Sequence, residues 1–262
     1  MRCFYQESWQ GIAFSSFTHV SFFHLAGAKF YATFYEELFR RYTSWQHLPA
    51  EWRKGKENSA AWLANFIEQH RRTHDMAPDE PIRLLSIGCG VGYMEKVLLE
   101  KVPAVEMHVN EVSTAGLRWL RDLVSNDNIY IGVPPLCLPS DVRYDIIYIA
   151  NVDYSVPTRE LTRLLEELRA QLLPGGKIVC LSASLLQEDT WVGKAVNCFK
   201  IGLRCLLHYS GVRRQQFWGW RRTRQEYRDV FHHAGLVNVE DGYVDEGIAD
   251  AGFETYFVYG EE

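Results

Sequence analysis

Gly88-Cys89-Gly90-Val91-Gly92 sets three glycines at alternate positions directly after the apolar run Leu84-Leu85-Ser86-Ile87. Met94, Val97 and Leu98 mark the inner side of a helix that begins immediately afterwards. A strand that passes through such a loop into a helix exposes bare backbone to a ligand, and the first helical turn adds unpaired N–H groups to the same crevice. Tyr93 stands where a dinucleotide-binding G-x-G-x-x-G loop needs a small residue, so a nicotinamide or flavin pyrophosphate fits poorly. Glu111, in Asn110-Glu111-Val112-Ser113, lies roughly twenty residues past the glycines, where a carboxylate can accept from both hydroxyls of a ribose. Its other reading is a glutamate capping the next helix near Ser113. The loop and the acid together favour the ribose.

These groups need a scaffold, and the surrounding pattern supplies one. Ile82 opens a stretch in which strands alternate with helices. Arg83 to Ile87, Val105 to Val109, Tyr144 to Ile149 and Lys177 to Leu181 read as strands, and Leu161, Leu164, Leu165, Leu168 and Leu172 form one helical stripe before the turn Pro174-Gly175-Gly176. Such alternation predicts a Rossmann-like α/β fold with a doubly wound, mostly parallel sheet. Residues 1–80 show helix signals and no clear strand: Phe30, Phe34, Leu38 and Phe39 recur at helical spacing, and a second helix is expected from Ser59 to Arg72. Pro78-Asp79-Glu80-Pro81 marks the boundary, giving an N-terminal helical cap over 1–80 and a second unit over 81–262. Late in the chain, Thr223 and Glu226 form a capping box, and strands are expected at Val237 to Val239 and Thr255 to Tyr259.

From Ile82 to about Leu181 the chain resembles the class I S-adenosylmethionine-dependent methyltransferases, in particular bacterial members acting on small molecules. The resemblance rests on Gly88-Cys89-Gly90-Val91-Gly92, on Glu111 after the second strand, on Tyr144-Asp145-Ile146-Ile147-Tyr148 and on Leu173-Pro174-Gly175-Gly176. It implies that S-adenosylmethionine is the cofactor, with the amino-acid end wrapped by Ser86, Gly88, Cys89, Gly90, Gly92 and Asn151. Glu111 then takes the ribose, and Val112, Gly132 and Val133 the adenine. Two positions depart from the family. Ser86 replaces an acidic residue, for which Glu95 either compensates or serves only as a helix-dipole partner. Val133 replaces an acid that accepts from the adenine amino group, leaving apolar packing and backbone groups to hold the base.

Methyl transfer is an in-line displacement in which positioning supplies much of the rate, and a base is needed only where the nucleophile must lose a proton. At the end of the fourth strand, Asp153 and Tyr154 are the candidate catalytic side chains, the alternative being that Asp153 and Ser155 cap the next helix. A substrate-selecting insert is expected at about 183–220, where Lys200, Arg204 and His208 recur at four-residue spacing and Phe217-Trp218-Gly219-Trp220-Arg221-Arg222 interleaves rings with cations. Arg204 and Arg222 are its candidate substrate-binding residues, for an anionic group, or else the stretch is a solvated face, or a membrane-surface face that is short and interrupted by Gly202. The N-terminal aromatic residues either pack helices onto the sheet or close over the cofactor.

The net charge of −5 gives no global attraction to nucleic acid or to an anionic membrane, either of which would need a local basic patch. Six dispersed cysteines with no C-x-x-C pair support neither a metal nor a disulfide framework and fit a cytoplasmic setting, and no run of apolar residues is long enough for stable membrane insertion. The expected activity is methyl transfer to oxygen or nitrogen of a small biosynthetic substrate. The alternatives are a sugar or glycan acceptor, or a non-catalytic cofactor-binding accessory protein.

Overall fold

The computed structural model describes residues 3–6, 8–13, 28–186, 217–244 and 255–262, with positions 195, 196, 198–200, 202, 203, 206, 207 and 210 between them. A seven-stranded sheet forms its centre. Five strands are parallel: β6 (Ile129–Ile131), β5 (Val105–Glu111), β4 (Ile82–Ile87), β7 (Tyr144–Ala150) and β8 (Leu172–Ser182), in that spatial order. β11 (Tyr256–Glu261) lies antiparallel between β8 and β10 (Val237–Tyr243). This is the Rossmann-like arrangement that the alternating pattern predicts.

The middle strands read as nearly continuous apolar runs because both faces are covered. Side chains alternate between two cores with the period of the pleat. Leu84, Val109, Ile146, Tyr148 and Val179 pack with α1 (Ala28–Arg41), α2 (Ala50–Thr73) and α3 (Tyr93–Lys101). Leu85, Ile87, Ile147, Ile149 and Ile178 face α4 (Thr158–Arg169) and α5 (Arg224–His233). The capping box of α5 is present, with Thr223 and Glu226 each satisfying the other's backbone N–H.

Several expectations need correction. The first eighty residues contain strands: β2 (Ser8–Trp9) and β3 (Ile12–Ala13) make a hairpin, and β1 (Cys3–Gln6) pairs antiparallel with β9 (Phe217–Trp220). These are too short to show an alternating pattern, and β1 finds its partner more than two hundred residues away. Helix α2 starts at Ala50, nine residues before Ser59, behind Pro49 and with Glu51 in its first turn. Leu172 belongs to β8 and not to the helical stripe; the strand runs through Pro174-Gly175-Gly176 with a register shift against β7. No α-helix joins β5 to β6 among the described residues. Short 3-10 turns at Thr114–Arg118, Leu120–Asp122 and Asn126–Asn128 do so instead.

The proline-rich boundary does not separate two cores. Phe34, Leu38, Leu63 and Ile67 share one apolar cluster with Leu84 and Tyr148 of the sheet. The buried Arg71 of α2 also spans the junction, donating to the carbonyls of Ala77 (3.1 Å), Glu80 (2.7 Å), Pro103 (3.1 Å) and Ala104 (3.1 Å).

Candidate functional site

β4 delivers its last residue into a loop whose glycines all have positive φ: Gly88 at 68°, Gly90 at 62° and Gly92 at 74°. At two of them a side chain has no room. A Cβ on Gly92 would lie 2.0 Å from Cδ1 of the buried Leu120, and one on Gly88 would lie 2.5 Å from Cγ2 of Val152. Gly90 differs, with only the Tyr35 hydroxyl at 3.5 Å from its notional Cβ, so its constraint is backbone conformation. The loop is pinned to the neighbouring strand by N–H groups of Gly88 and Cys89 donating to Asn110 O at 2.9 and 3.1 Å.

Glu111, at the end of β5, faces this loop. One carboxylate oxygen, Oε2, accepts from the Gly90 N–H (2.9 Å) and the Tyr35 hydroxyl (3.2 Å), while Oε1 accepts from the Val112 N–H (2.9 Å). Burial pushes its pKa up, and the two backbone donors work against that shift. Glu111 is therefore no exposed helix cap: it is 3% exposed and aimed at the glycine backbone.

Tyr35 is one of the N-terminal aromatics, and its contact with Glu111 is what sequence reasoning missed. It comes from α1, which approaches closely because Gly116 has no side chain; a Cβ there would sit 2.9 Å from the Tyr35 ring. Burial and the adjacent Glu111 raise the Tyr35 pKa, so the phenol stays protonated and donates. Its place in an aromatic helical stripe is visible in sequence, but its partner is not. The hydroxyl holds one of the carboxylate oxygens to which a ribose would donate. Tyr35→Phe is accordingly expected to tighten S-adenosylmethionine binding about tenfold, by removing a competing hydrogen bond to a charged group. Unchanged or weaker calorimetric affinity would refute this.

Around Tyr35 the other aromatics make a wall at the carboxyl ends of the strands. Trp9 packs on Phe34 (centroids 5.6 Å), Tyr31 (6.2 Å) and Tyr154 (5.9 Å), joining the hairpin, α1 and the loop after β7. Trp52, Trp62 and Phe66 serve packing instead, against Tyr93 and the β11 rings Phe257 and Tyr259. The packing reading of the N-terminal aromatics thus has members in Trp52, Trp62 and Phe66. Phe22 and Phe23 lie outside the described residues.

Ser86 sits beneath the loop and donates to Glu95 Oε1 (2.6 Å), which also accepts from the Tyr148 hydroxyl (2.9 Å). Glu95 is 1% exposed, and its second oxygen has no hydrogen-bond partner. Burial raises its pKa, offset chiefly by the Ser86 hydrogen bond. The helix thus places a carboxylate beside the serine that departs from the family pattern.

On the opposite side, Asn110 donates to the carbonyls of Tyr130 and Gly132, both at 3.1 Å, and the Gly132 N–H donates to Glu111 O at 3.0 Å. This fixes a slot beside Glu111 edged by the exposed apolar side chains of Ile131 and Val133. Asn151 has positive φ and accepts from the Ala183 N–H at 2.9 Å, bracing the ends of β7 and β8.

Asp153 and Arg222 turn away from the crevice. Asp153 Oδ2 accepts from Ser182 (2.8 Å), Ser184 (3.3 Å) and the Tyr227 hydroxyl, all inside the fold. Arg222 is 1% exposed and donates to Asp153 O (2.8 Å), Val156 O and Thr158 Oγ1 (3.2 Å). A guanidinium so enclosed does not reach an anionic substrate, contrary to the expectation for Arg222; it clamps the loop that carries Tyr154. Arg204 lies outside the described residues, as do His208, Arg213 and Arg214. Arg222→Met leaves buried carbonyls unpaired and is expected to destabilise the fold by about 3 kcal/mol, read by urea unfolding. A loss within experimental error of zero would show that the clamp carries no weight.

A sequence model of a methyltransferase domain matches residues 59–241. The chain belongs to the methyltransferase family. As a class I S-adenosylmethionine-dependent enzyme it has the family's mostly parallel sheet, and the family match begins within α2. No curated protein matches the methyltransferase by sequence. Solved structures share its fold at low identity. An S-adenosylmethionine-dependent methyltransferase of Leishmania major is 16% identical (TM-score 0.51; 78% of this chain, 72% of that one). Magnesium protoporphyrin IX methyltransferase of Synechocystis, solved with bound S-adenosylhomocysteine, is 13% identical (TM-score 0.54; 89% and 96%). Human N-acetylserotonin methyltransferase, in complex with S-adenosylmethionine, is 13% identical (TM-score 0.50; 90% and 57%), so this chain spans little more than half of its length.

Proposed function

We propose that this methyltransferase moves the methyl group of S-adenosylmethionine to an oxygen or nitrogen atom of a small biosynthetic molecule, and that nucleic acid is not its substrate. The observation that carries the cofactor placement is the Glu111 carboxylate, bonded at 2.9 Å to the Gly90 N–H at the mouth of a glycine cradle. Glu111 would hold the ribose, with adenine in the slot of Val112, Gly132 and Val133. Backbone of Gly88, Cys89, Gly90 and Gly92 would surround the amino-acid end. Ser86 and Asn151 would flank that end, and the unpartnered oxygen of Glu95 suits a cationic ammonium nearby. The cofactor, when bound, supplies a methyl group on a sulfonium, ready for displacement.

The residues of the wall act by position. Burial raises the pKa of Tyr31 and Tyr154, so these phenols hold their protons and donate hydrogen bonds; they do not act as bases. Tyr154 is the side chain best placed to orient an acceptor, and Asp153 acts behind it as a positioning residue through Ser182, Ser184 and Tyr227. The aromatic wall keeps water from the reacting atoms and favours acceptors with apolar surface. Calorimetric titration with S-adenosylmethionine and S-adenosylhomocysteine tests this reading. Binding by the wild type, lost in Gly90→Arg, supports it; a folded wild type that binds neither compound overturns it.

A further inference from the structure

The slot beside Glu111 is edged by Ile131-Gly132-Val133-Pro134-Pro135-Leu136-Cys137-Leu138-Pro139, a segment whose side chains carry no oxygen or nitrogen atom. Ile131 pairs in register with Glu111 across parallel strands, which sends both side chains out of the same face of the sheet. The apolar side chains of this edge are open: Ile131 is 39% exposed, Val133 68% and Leu136 94%. Backbone donors are scarce as well. Pro134 and Pro135 have no N–H. The Gly132 N–H donates to Glu111 O (3.0 Å) and the Leu138 N–H to Pro135 O (2.8 Å). Asn110, on the opposite face of β5, is 1% exposed, and its amide is spent on Tyr130 O, Gly132 O and Cys137 Sγ at 3.1, 3.1 and 3.2 Å. On the other side of the slot, the Ser113 hydroxyl oxygen accepts from the Ala115 N–H at 3.3 Å.

Adenine and its 6-oxo counterpart, hypoxanthine, have the same shape and differ along one edge. Adenine donates from its 6-amino group and accepts at N1; hypoxanthine accepts at its 6-oxygen and donates from N1. A site rejects one of them strongly only when the wrong base leaves a fixed protein group buried and unpaired. The slot has no side chain for that task, and its remaining backbone groups lie in an exposed loop, where water pairs with whatever a base leaves open. Resting on the cofactor placement proposed above, we infer that this methyltransferase holds the cofactor's base by shape and apolar contact without reading its 6-position. A cofactor built on a 6-oxopurine is therefore accepted beside the adenine form, and Val133 is the position that sets this tolerance.

Calorimetric titration of the full chain with S-adenosylhomocysteine and S-inosylhomocysteine, which differ only along that edge, tests this. Wild type is expected to bind the two within about tenfold of each other. Val133→Asp sets a carboxylate on the exposed edge. It should leave the urea unfolding midpoint unchanged and favour the adenine compound by more than about tenfold, through a charged acceptor for the 6-amino group. Ile131→Ser should weaken both compounds alike, by about fivefold. A wild-type preference for the adenine compound above about tenfold overturns the inference and leaves the cofactor placement standing. A Val133→Asp variant with the wild-type ratio overturns it too, since the base would then lie elsewhere, as does unchanged binding of both compounds by Ile131→Ser. Failure of folded wild type to bind either compound would remove the cofactor placement and this inference together.

Discussion

Gly92→Ala is expected to lose about 2–5 kcal/mol of stability, because among the described glycines it has the closest contact for an added Cβ. Two terms add. Backbone at φ 74° disfavours an L side chain by about 1–2 kcal/mol, and the new Cβ falls 2.0 Å from Leu120 Cδ1. Leu120 is fully buried, so it cannot step aside without disturbing the packing beneath the 3-10 turns. Gly90→Ala is the control, with similar φ and its nearest contact at an ordinary 3.5 Å, and should lose only about 1–2 kcal/mol. Urea unfolding of both variants decides it. Equal losses would mean that Leu120 yields freely. A cycle with Leu120→Ala should be markedly less than additive, because the clash disappears with the leucine.

The second large effect is on the cofactor. Glu111→Ala should weaken S-adenosylmethionine binding by more than about a hundredfold, since two hydrogen bonds to a charged acceptor are each worth roughly 1.5–3 kcal/mol. Gly90 and Val112 N–H groups would also lose their acceptor, so the loop itself loosens. Glu111→Gln keeps the shape and one acceptor oxygen, and should fall between. The pH dependence has a definite sign. Burial raises the Glu111 pKa above its ordinary 4.5, so the free folded protein holds that proton more readily than the unfolded chain does. The penalty of the buried charge is fully present above the folded pKa and is relieved as pH falls through it toward 4.5. Ribose binding needs the charged form, so affinity should drop on acidification at a pH above the usual glutamate range. Calorimetry across pH should show that loss in wild type and a flat response in Glu111→Gln. Parallel curves would assign the titration to another group.

Much of this site was legible without coordinates. Glycines alternating after an apolar run mark a tight turn from strand to helix, because the φ values of that turn are closed to most side chains. Chain-local geometry then sets the helix start and the distance to Glu111. The parallel strands were legible for a similar reason: burial on both faces leaves runs such as Tyr144 to Ile149 that no surface element would carry. Short elements escaped. β6 has three residues and β1 four, and each is stabilised by a partner strand and not by its own pattern.

Asp153 shows where local reading stops. An acid just past a central strand is equally suited to face a substrate or to turn inward, and the choice belongs to Tyr227, Ser182 and Ser184, which come from other parts of the chain. Arg222 repeats the point: a cation beside aromatic residues resembles a ligand site until its carbonyl acceptors come into view. The sequence by itself determined the sheet, the glycine cradle and the acid opposite it, because each follows from backbone conformation and burial period over a few neighbouring residues. Only the tertiary structure decided that Tyr35 rests on Glu111, that Glu95 stands behind Ser86 and that Asp153 faces inward, because those contacts join residues whose separation in the chain carries no trace of their meeting.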